Sequence, residues 1–457
     1  MIRHRWLGLV GMMTTVGGVA LAASVGACSS SSDASAPITN EAGTASDVDA
    51  GSDEIDSGNG APSSTYPAPH PELPTVLSFG GPVLTAPHVI PVFFPGDEYQ
   101  TQLESYLHQL AASDYWAKTT GEYGVGALTV GDSIVLADPA AANVTAKDVD
   151  GLAQALASGT VAIQGTDAGA APVVDGNTVF ALFYPTSTTI SEAQGYDSCQ
   201  SFGGYHADTN VTLPSGQVNF TYALVPRCPD FYASEGLTGV DEVTAGLSHE
   251  LVEAATDPFT ETKAAYLAAD DDHKVWGVVL AASEAGDMCS WEMPSVAIPN
   301  GVDLKTSRIW SNVAAKAGHD PCVPAPSDPY FNAVPDLSED VSIPEYISYG
   351  ADGKLVSGGK TKGVKLAVGE SATVDLVIYS DGPTAPITIT PQEITTSPVL
   401  SLSLDRESGV NGERLHLTIT RTAKSAARTG AKILLYSSIG APTSQSRFGI
   451  SMIYVAD

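Results

Sequence analysis

The chain has 457 residues and a formal net charge of −31, with 52 acidic residues against 21 lysines and arginines. This excess of negative charge excludes nucleic-acid binding and electrostatic attraction to anionic lipid, but it is compatible with cation binding. The length predicts two domains behind an N-terminal segment that does not fold.

The N-terminus has the pattern of a bacterial export signal. Two arginines precede an apolar run at residues 6–23, and the tetrapeptide Val-Gly-Ala-Cys28 follows. That tetrapeptide resembles a lipobox, which implies removal of a signal peptide at residues 1–27 and lipidation of Cys28. Ser29 stands where an aspartate would favour retention at the inner membrane. We therefore expect an exported lipoprotein at the outer membrane or cell surface, attached to the membrane through its lipid only.

Residues 28–70 are rich in Ser, Ala, Gly, Pro and acidic residues, and they contain no lysine or arginine. Such a composition buries too little apolar surface to offset the entropy lost on ordering. The sequence therefore predicts a disordered acidic tether that holds a globular body away from the membrane.

Residues 71–325 alternate between strand and helix patterns, which predicts an α/β (or α+β) domain with a mixed sheet. The expected strands are 88–94, 178–184 and 218–225, and residues 126–136 are expected to form a strand-turn-strand. The expected helices are 97–112, 145–157 and one that begins near Thr238 and ends before Pro258. Thr145 and Asp148 have the spacing of a capping box.

Four cysteines follow Cys28, and an even number in an exported chain predicts two disulfides. The sequence permits three pairings. Cys199–Cys228 and Cys289–Cys322 are favoured because each pair closes a short loop around one motif region. Cysteines that are paired in this way cannot be zinc ligands.

The helix that ends at Pro258 carries the most informative motif. His249-Glu250-Leu-Val-Glu253 matches the zinc-protease helix pattern H-E-x-x-H except for its last position. His249, Glu253 and Asp257 share one helix face at four-residue spacing, whereas Glu250 is rotated away from them. We therefore expect a zincin-like active helix, with His249 and Glu253 as metal ligands and Glu250 as the general base.

A third ligand must come from elsewhere or from Asp257. Glu284 is the favoured outside candidate, and Asp287 beside it is expected to orient a ligand imidazole. His206, which follows two glycines, is a further candidate for the pocket. One imidazole with two or three carboxylates makes a harder site than His-His-Glu, so Zn²⁺ is expected while Mn²⁺ or Ca²⁺ is also admitted.

The run Asp270-Asp271-Asp272-His273 is a second acidic cluster. Oxygen ligands of this kind can bind calcium, but the EF-hand spacing and its glycine are missing. The favoured interpretation is a solvated acidic turn between two elements.

Residues 326–457 lose helical periodicity and alternate as short strands separated by turn residues. This pattern predicts an all-β sandwich of immunoglobulin-like type, with a binding or spacer role. The expected strands are 373–379, 387–389, 400–404, 415–420, 432–437 and 448–454.

Several motifs occur in an order that resembles the plant EXORDIUM, or phosphate-induced protein 1, family. They are Gly81-Pro-Val-Leu-Thr85, Trp116-Ala-Lys-Thr-Thr-Gly-Glu-Tyr123, Thr256-Asp-Pro-Phe259, Glu284-Ala-Gly-Asp-Met-Cys289 and the late Trp310 with Cys322. The resemblance spans roughly residues 78–325 and includes neither the tether nor the sandwich. It implies an extracellular protein associated with a cell surface or cell wall.

Two functions follow from these patterns. The first is a surface-anchored metal-dependent hydrolase, a zinc peptidase that acts on a peptide or on a cell-wall polymer. The second is a non-catalytic, EXORDIUM-like surface or adhesion protein that binds wall polymer or a protein partner. Bound metal and the effect of Glu253→Ala on it distinguish the two.

Overall fold

A computed structural model describes residues 60–165, 172–193, 195–260, 262–350, 354–426, 429–440 and 447–457. The predicted signal peptide, the predicted lipidation site Cys28 and the tether up to residue 59 lie outside the described residues. Within the described ranges, no helix has both the length and the apolar character needed to cross a membrane.

The first part of the described chain is built around a mixed β-sheet. The strands of this part are β1 (Val76–Ser78), β2 (His88–Phe93), β3 (Thr129–Val130), β4 (Ile134–Val135), β5 (Asn143–Thr145), β6 (Thr178–Tyr184), β7 (Thr189–Ala193), β8 (Tyr196–Asp197), β9 (Tyr205–Leu213), β10 (Gly216–Pro226), β11 (Tyr266–Ala269), β12 (Val296–Ala297), β13 (Thr306–Ser307), β14 (Ile309–Trp310) and β15 (Cys322–Val323). The sheet has the order β3-β2-β6-β10-β9, and β4 also pairs with β2. Adjacent strands in this sheet run parallel, except that β9 runs antiparallel to β10.

Helices lie on both faces of this sheet. They are α1 (Gln100–Ala112), α2 (Tyr115–Thr120), α3 (Ala146–Ser158), α4 (Val240–Thr256), α5 (Lys274–Val279) and α6 (Asn312–Lys316). Alternate residues of β6 point to opposite sides, so Ala181 and Phe183 pack in the core with α1 and α4, whereas Phe180 and Leu182 pack with α3. Both faces are covered, which explains why β6 is apolar at almost every position.

The sequence predicted α1, α3 and α4 closely, whereas it did not predict the short helices α2, α5 and α6. The capping box at the start of α3 is confirmed, because Asp148 N donates to the Thr145 hydroxyl and Thr145 N donates to the Asp148 carboxylate. The strand-turn-strand predicted for residues 126–136 is confirmed, as the two short strands β3 and β4. β3 and β4 do not form a hairpin, because each adds in parallel to β2.

The second part of the described chain is a β-sandwich. Its strands are β16 (Phe331–Pro335), β17 (Asp340–Ser342), β18 (Ile347–Tyr349), β19 (Leu355–Ser357), β20 (Lys360–Lys365), β21 (Ser371–Ser380), β22 (Ile387–Glu393), β23 (Leu400–Leu404), β24 (Ser408–Gly409), β25 (Arg414–Arg421), β26 (Ala431–Ile439) and β27 (Phe448–Ala456). One sheet has the order β16-β21-β25-β23 and the other β17-β20-β27-β26-β22-β24. A core of alternating aliphatic residues, among them Leu376, Leu417 and Ile433, lies between the sheets.

The two parts share a core and several polar contacts. The Thr361 hydroxyl of β20 donates to the carbonyl of Asp272, and Met293 forms a β-bridge with Phe448. The predicted tether was too long at its C-terminal end. Ala68 is buried and donates its N–H to the Asn411 side chain, and His70 stacks on Tyr379. Averaged composition concealed these anchors, since a few well-placed residues suffice to hold a segment that is otherwise polar.

Candidate metal centre

Helix α4 carries three of the predicted site residues into the interior. Asp241 and Glu242 lie in its first turn, where they favour the helix dipole, and Pro258 prevents its continuation. Every residue from Glu242 to Thr256 is buried. His249 and Glu253 meet on one face as the spacing predicts, with 3.1 Å between His249 Nε2 and Glu253 Oε1.

Strand β9 brings His206 to the same place. His206 pairs in register with Ala223, whose side chain belongs to the core on the α4 side of the sheet. Its Nδ1 lies 3.7 Å from Glu250 Oε2 and 3.7 Å from Glu253 Oε2. His206 is therefore a central residue of the site, whereas the sequence indicated it only as a pocket candidate.

Gly204 allows this close approach of strand and helix. A Cβ at this position would lie 2.9 Å from Glu250 Oε1 and 3.0 Å from the carbonyl oxygen of Leu224. The glycine immediately before β9 is the sequence signal that could have predicted the contact of His206 with α4, since the absence of a side chain allows tight backbone packing.

The segment from Glu284 to Cys289 closes the site from the other side. Asp287 donates its N–H to Glu253 Oε1 at 3.1 Å, and its Oδ1 lies 3.7 Å from His249 Nε2. Gly286 is required here, because a Cβ would lie 2.6 Å from Glu253 Oε1 and 2.8 Å from the His249 ring. Glu284 N donates in turn to Asp287 Oδ2.

Two groups of side chains have the spacing of metal ligands. One is His206, Glu250 and Glu253, and the other is His249, Glu253 and Asp287; within each group the donor atoms lie within 4.8 Å of one another. Glu253 belongs to both. We refer to these five residues together as the α4 centre.

The geometry differs from expectation for the two residues of the downstream segment. Asp287, expected to orient an imidazole, lies within a ligand group. Glu284, expected as the third ligand, lies outside both groups and has its Oε1 3.7 Å from His206 Nε2. That nitrogen is the one opposite the Nδ1 that faces Glu250 and Glu253, so Glu284 is placed to orient the His206 ring.

Asp257 was also expected as a ligand, and the structure does not place it in either group. Helix α4 ends at Thr256, so Asp257 has φ −140° and ψ 65° and leaves the helix face. Its Oδ1 accepts a hydrogen bond from the N–H of Ala265 at 2.6 Å. The extrapolation of helix periodicity to this position failed because the proline that follows ends the helix first.

The site is almost fully excluded from water, which shifts the proton affinities of its groups. Burial lowers the pKa of His206 to about 3, with a further contribution from His249. Burial raises the pKa of Glu250 and of Glu284 well above the usual range for a glutamate. Burial alone would lower the pKa of His249. The neighbouring carboxylates, Glu253 first, outweigh this effect and raise the pKa well above its ordinary value.

The donor set fits a divalent cation. Glu250 is 1% exposed, yet neither of its carboxylate oxygens accepts a hydrogen bond within the described part of the chain. A buried carboxylate without such a partner is costly, and a coordinated cation is one of the few ways to compensate it. Imidazole nitrogens and carboxylate oxygens are ligands for Zn²⁺ and Mn²⁺.

Two disulfides constrain the segments that carry His206 and Asp287. Cys199 pairs with Cys228 and Cys289 with Cys322, as the sequence favoured. The first closes the loop that contains β9 and His206, and the second joins the segment of Asp287 to β15. Structural disulfides of this kind are typical of exported proteins.

The Asp270–His273 cluster has a structural explanation. Asp270 Oδ1 accepts hydrogen bonds from the N–H groups of Asp272 and His273, and Asp270 Oδ2 accepts from Thr75 N. The carboxylate therefore caps a short 3-10 helix at Asp271–His273. Its contacts agree with the favoured interpretation of an acidic turn.

The α4 centre is enclosed. Its side chains belong to residues that are at most 3% exposed. Four cavities formed by the described residues have no residue of the centre in their linings. One of them, of about 300 Å³, lies between the two parts of the chain beside Trp276 and Met452.

Comparisons with known proteins add little to this geometry. No family model matches the chain, and no curated protein matches it. A structure of domains 4 and 5 of the S-layer protein SbsC matches with 12% identity over 35% of this chain and 89% of that chain, at a TM-score of 0.16. A structure of SbsC domains 1–6 matches with 10% identity over 59% of this chain and 37% of that chain, at a TM-score of 0.15. These scores are too low to support a functional conclusion.

Proposed function

We propose that this protein is a metal-dependent hydrolase of the cell exterior, specifically a peptidase with its catalytic centre on α4. The observation that carries the proposal is the convergence of His206, His249, Glu250, Glu253 and Asp287 in one buried cluster. Such a cluster uses ligand types that bind divalent cations, and the sequence resembles the zincin helix at His249, Glu250 and Glu253.

A bound divalent cation would polarise the substrate carbonyl and make water a better nucleophile at neutral pH. The protein residues have distinct parts in this chemistry. His249, Glu253 and Asp287 hold the cation from α4 and the facing segment. Glu250 takes the proton from the attacking water. Its Oε1 lies beside Gly204 and accepts no hydrogen bond from the described chain, so this oxygen is available to accept the proton. Zn²⁺ is the proposed metal, with Mn²⁺ or Ca²⁺ as alternatives.

The setting of the centre is part of the same proposal. The motifs that resemble the EXORDIUM family lie in the part that contains the centre, and the lipobox resemblance supports attachment to the outer membrane or cell surface through Cys28. The sandwich, for which we propose an immunoglobulin-like arrangement, would act as a binding or spacer module. Peptide or cell-wall polymer at the cell surface is then the substrate class within reach.

Hydrolysis and metal content must be measured together to test this function. The full chain is assayed with fluorescently quenched casein, and its metal is measured by elemental analysis. We expect casein hydrolysis in the wild type, loss of hydrolysis in Glu250→Gln with metal still bound by His249, Glu253 and Asp287, and loss of both hydrolysis and metal in Glu253→Gln. Glu242→Gln is the matched control, because Glu242 is buried on the same helix but accepts from Tyr232 N outside the centre.

A second function is favoured by the enclosure of the centre. A substrate chain cannot reach side chains that are at most 3% exposed without movement of the surrounding segments. The metal would then stabilise a non-catalytic surface or adhesion protein. Bound metal without hydrolysis in the wild type supports this metal-stabilised form of the second function. The absence of bound metal contradicts the hydrolase and leaves a surface protein in which α4 is structural.

A further inference from the structure

Glu253 connects two separate groups of ligand atoms. The first group contains His206 and Glu250, the second contains His249 and Asp287, and Glu253 is common to both. One cation with the usual four ligands would leave donor atoms of this cluster unused, since it offers two imidazoles and three carboxylates. The number of donors therefore exceeds the need of a single ion.

The two oxygens of Glu253 face different imidazoles. Oε1 lies 3.1 Å from His249 Nε2, whereas Oε2 lies 3.7 Å from His206 Nδ1. A carboxylate that bridges two cations presents one oxygen to each of them. Glu253 has this orientation already, and the N–H of Asp287 holds Oε1 in place at 3.1 Å.

Charge supports the same conclusion. Glu250, Glu253, Glu284 and Asp287 are four carboxylates that are at most 2% exposed, and the ion-pair contacts described for them join them to imidazoles. An imidazole that binds a cation is neutral, so it balances none of this charge. Two divalent cations would balance all four carboxylates in their ionised form, whereas one would balance two of them, and an ionised carboxylate that is buried without a counter-charge is costly.

We propose that the α4 centre holds two divalent cations bridged by Glu253. The first lies between His206 Nδ1, Glu250 Oε2 and Glu253 Oε2, and the second lies between His249 Nε2, Glu253 Oε1 and Asp287 Oδ1. Glu284 is a positioning residue that faces His206 Nε2. Glu250 Oε1, which lies beside Gly204, keeps its part in proton transfer.

This inference rests on the proposed metal centre and makes it a two-metal site. Sites of this kind hold their ions about 3.5–4 Å apart and stabilise both the attacking and the leaving oxygen. The carboxylate-rich donor set favours harder ions such as Mn²⁺ over the softer metals that thiolate or imidazole ligands prefer. Mn²⁺ is also a useful probe, because two neighbouring Mn²⁺ ions are magnetically coupled.

The test uses the full chain, stripped with a chelator and then titrated with Mn²⁺. Isothermal titration calorimetry and elemental analysis give the stoichiometry, and electron paramagnetic resonance detects coupling. We expect two Mn²⁺ per chain and an exchange-coupled spectrum. Asp287→Asn and Glu250→Gln should each keep one ion and lose the coupling, and Glu253→Gln should weaken both sites. Glu284→Gln should weaken the first site by about 10- to 100-fold.

Each outcome separates this inference from the proposed function. One Mn²⁺ per chain with the spectrum of an isolated ion overturns the second site but leaves a mononuclear hydrolase possible. No Mn²⁺ and no Zn²⁺ overturns both. If a variant fails to fold by near-ultraviolet circular dichroism, the spectrum of the loaded wild type still decides between one ion and two.

Discussion

The arginine cluster and the α4 centre, both in the described part of the chain, are clusters of charged groups that are built in opposite ways. In the arginine cluster, Arg308 and Arg447 both pair with Asp320. Arg308 also donates to the backbone carbonyls of Pro294 and Pro324. In the α4 centre, three carboxylates meet two imidazoles, and both oxygens of Glu250 lack hydrogen bonds within the described residues.

The difference teaches what each cluster is for. The arginine cluster contains its own cations, and it joins the end of the first part to β27 through Arg447, so its role is to hold the two parts together. The α4 centre places three carboxylates in an interior that excludes water. This arrangement lowers the stability of the fold unless cations bind there. A buried charge cluster becomes a candidate site when its own residues do not compensate it.

The largest effect is expected at the arginine cluster. Arg308→Met removes the fully buried partner of Asp320 and the donor to the Pro294 and Pro324 carbonyls, and it leaves the more exposed Arg447 to pair with Asp320. The free energy of unfolding should fall by about 3–5 kcal/mol. Denaturant unfolding measures the change. Arg406→Met is the control, because Arg406 is 40% exposed in its pair with Glu413 and should change stability by about 1 kcal/mol or less. Metal content should be unchanged in both variants, and a loss of metal in Arg308→Met would break the comparison.

Metal removal should have the next largest effect. A ligand that binds only the folded state at a hundred times its dissociation constant adds about 2.7 kcal/mol to the free energy of unfolding. We therefore expect a chelator to lower the stability of the wild type by roughly this amount and to leave Glu253→Gln unaffected. Thermal unfolding with and without chelator is the measurement. An equal response in the two proteins would show that the stabilising metal binds elsewhere.

A smaller effect is expected from Gly286→Ala. The added Cβ would press on Glu253 and His249, and such overpacking costs about 1–3 kcal/mol. The variant should also bind metal more weakly, which calorimetric titration can measure. Gly151→Ala in α3 is the matched control, since nothing lies within 4 Å of its added Cβ and alanine is the better helix former. Normal metal affinity in Gly286→Ala would argue against a tight fit of this segment around the centre.

Local sequence patterns predicted most of the larger helices and strands. The features that the sequence did not predict are determined mainly by contacts between elements that are distant in the chain. Helix periodicity and the proline that follows it predicted α4. The preference for pairs that close short loops predicted both disulfides. His206 could not be assigned from periodicity, because the register of β9 on β10 determines which face its ring occupies.

The downstream ligands show a similar limit. Glu284 and Asp287 were predicted to approach α4. Which of them lies among the ligand atoms depends on the backbone turn at Gly286, where Asp287 N donates to Glu253. Asp257 lies outside both ligand groups, because helix periodicity no longer applies once a proline ends the helix. The sequence could therefore identify the candidate residues, whereas the assignment of roles required the fold.

The metal content of the purified full chain tests the central claim most directly. Elemental analysis should be made on the wild type, Glu253→Gln and Glu242→Gln after identical exposure to Zn²⁺ and Mn²⁺ and removal of free metal. We predict stoichiometric metal in the wild type and Glu242→Gln and its loss in Glu253→Gln. Absence of stoichiometric metal from the wild type, or full retention in Glu253→Gln, would contradict a metal centre on α4.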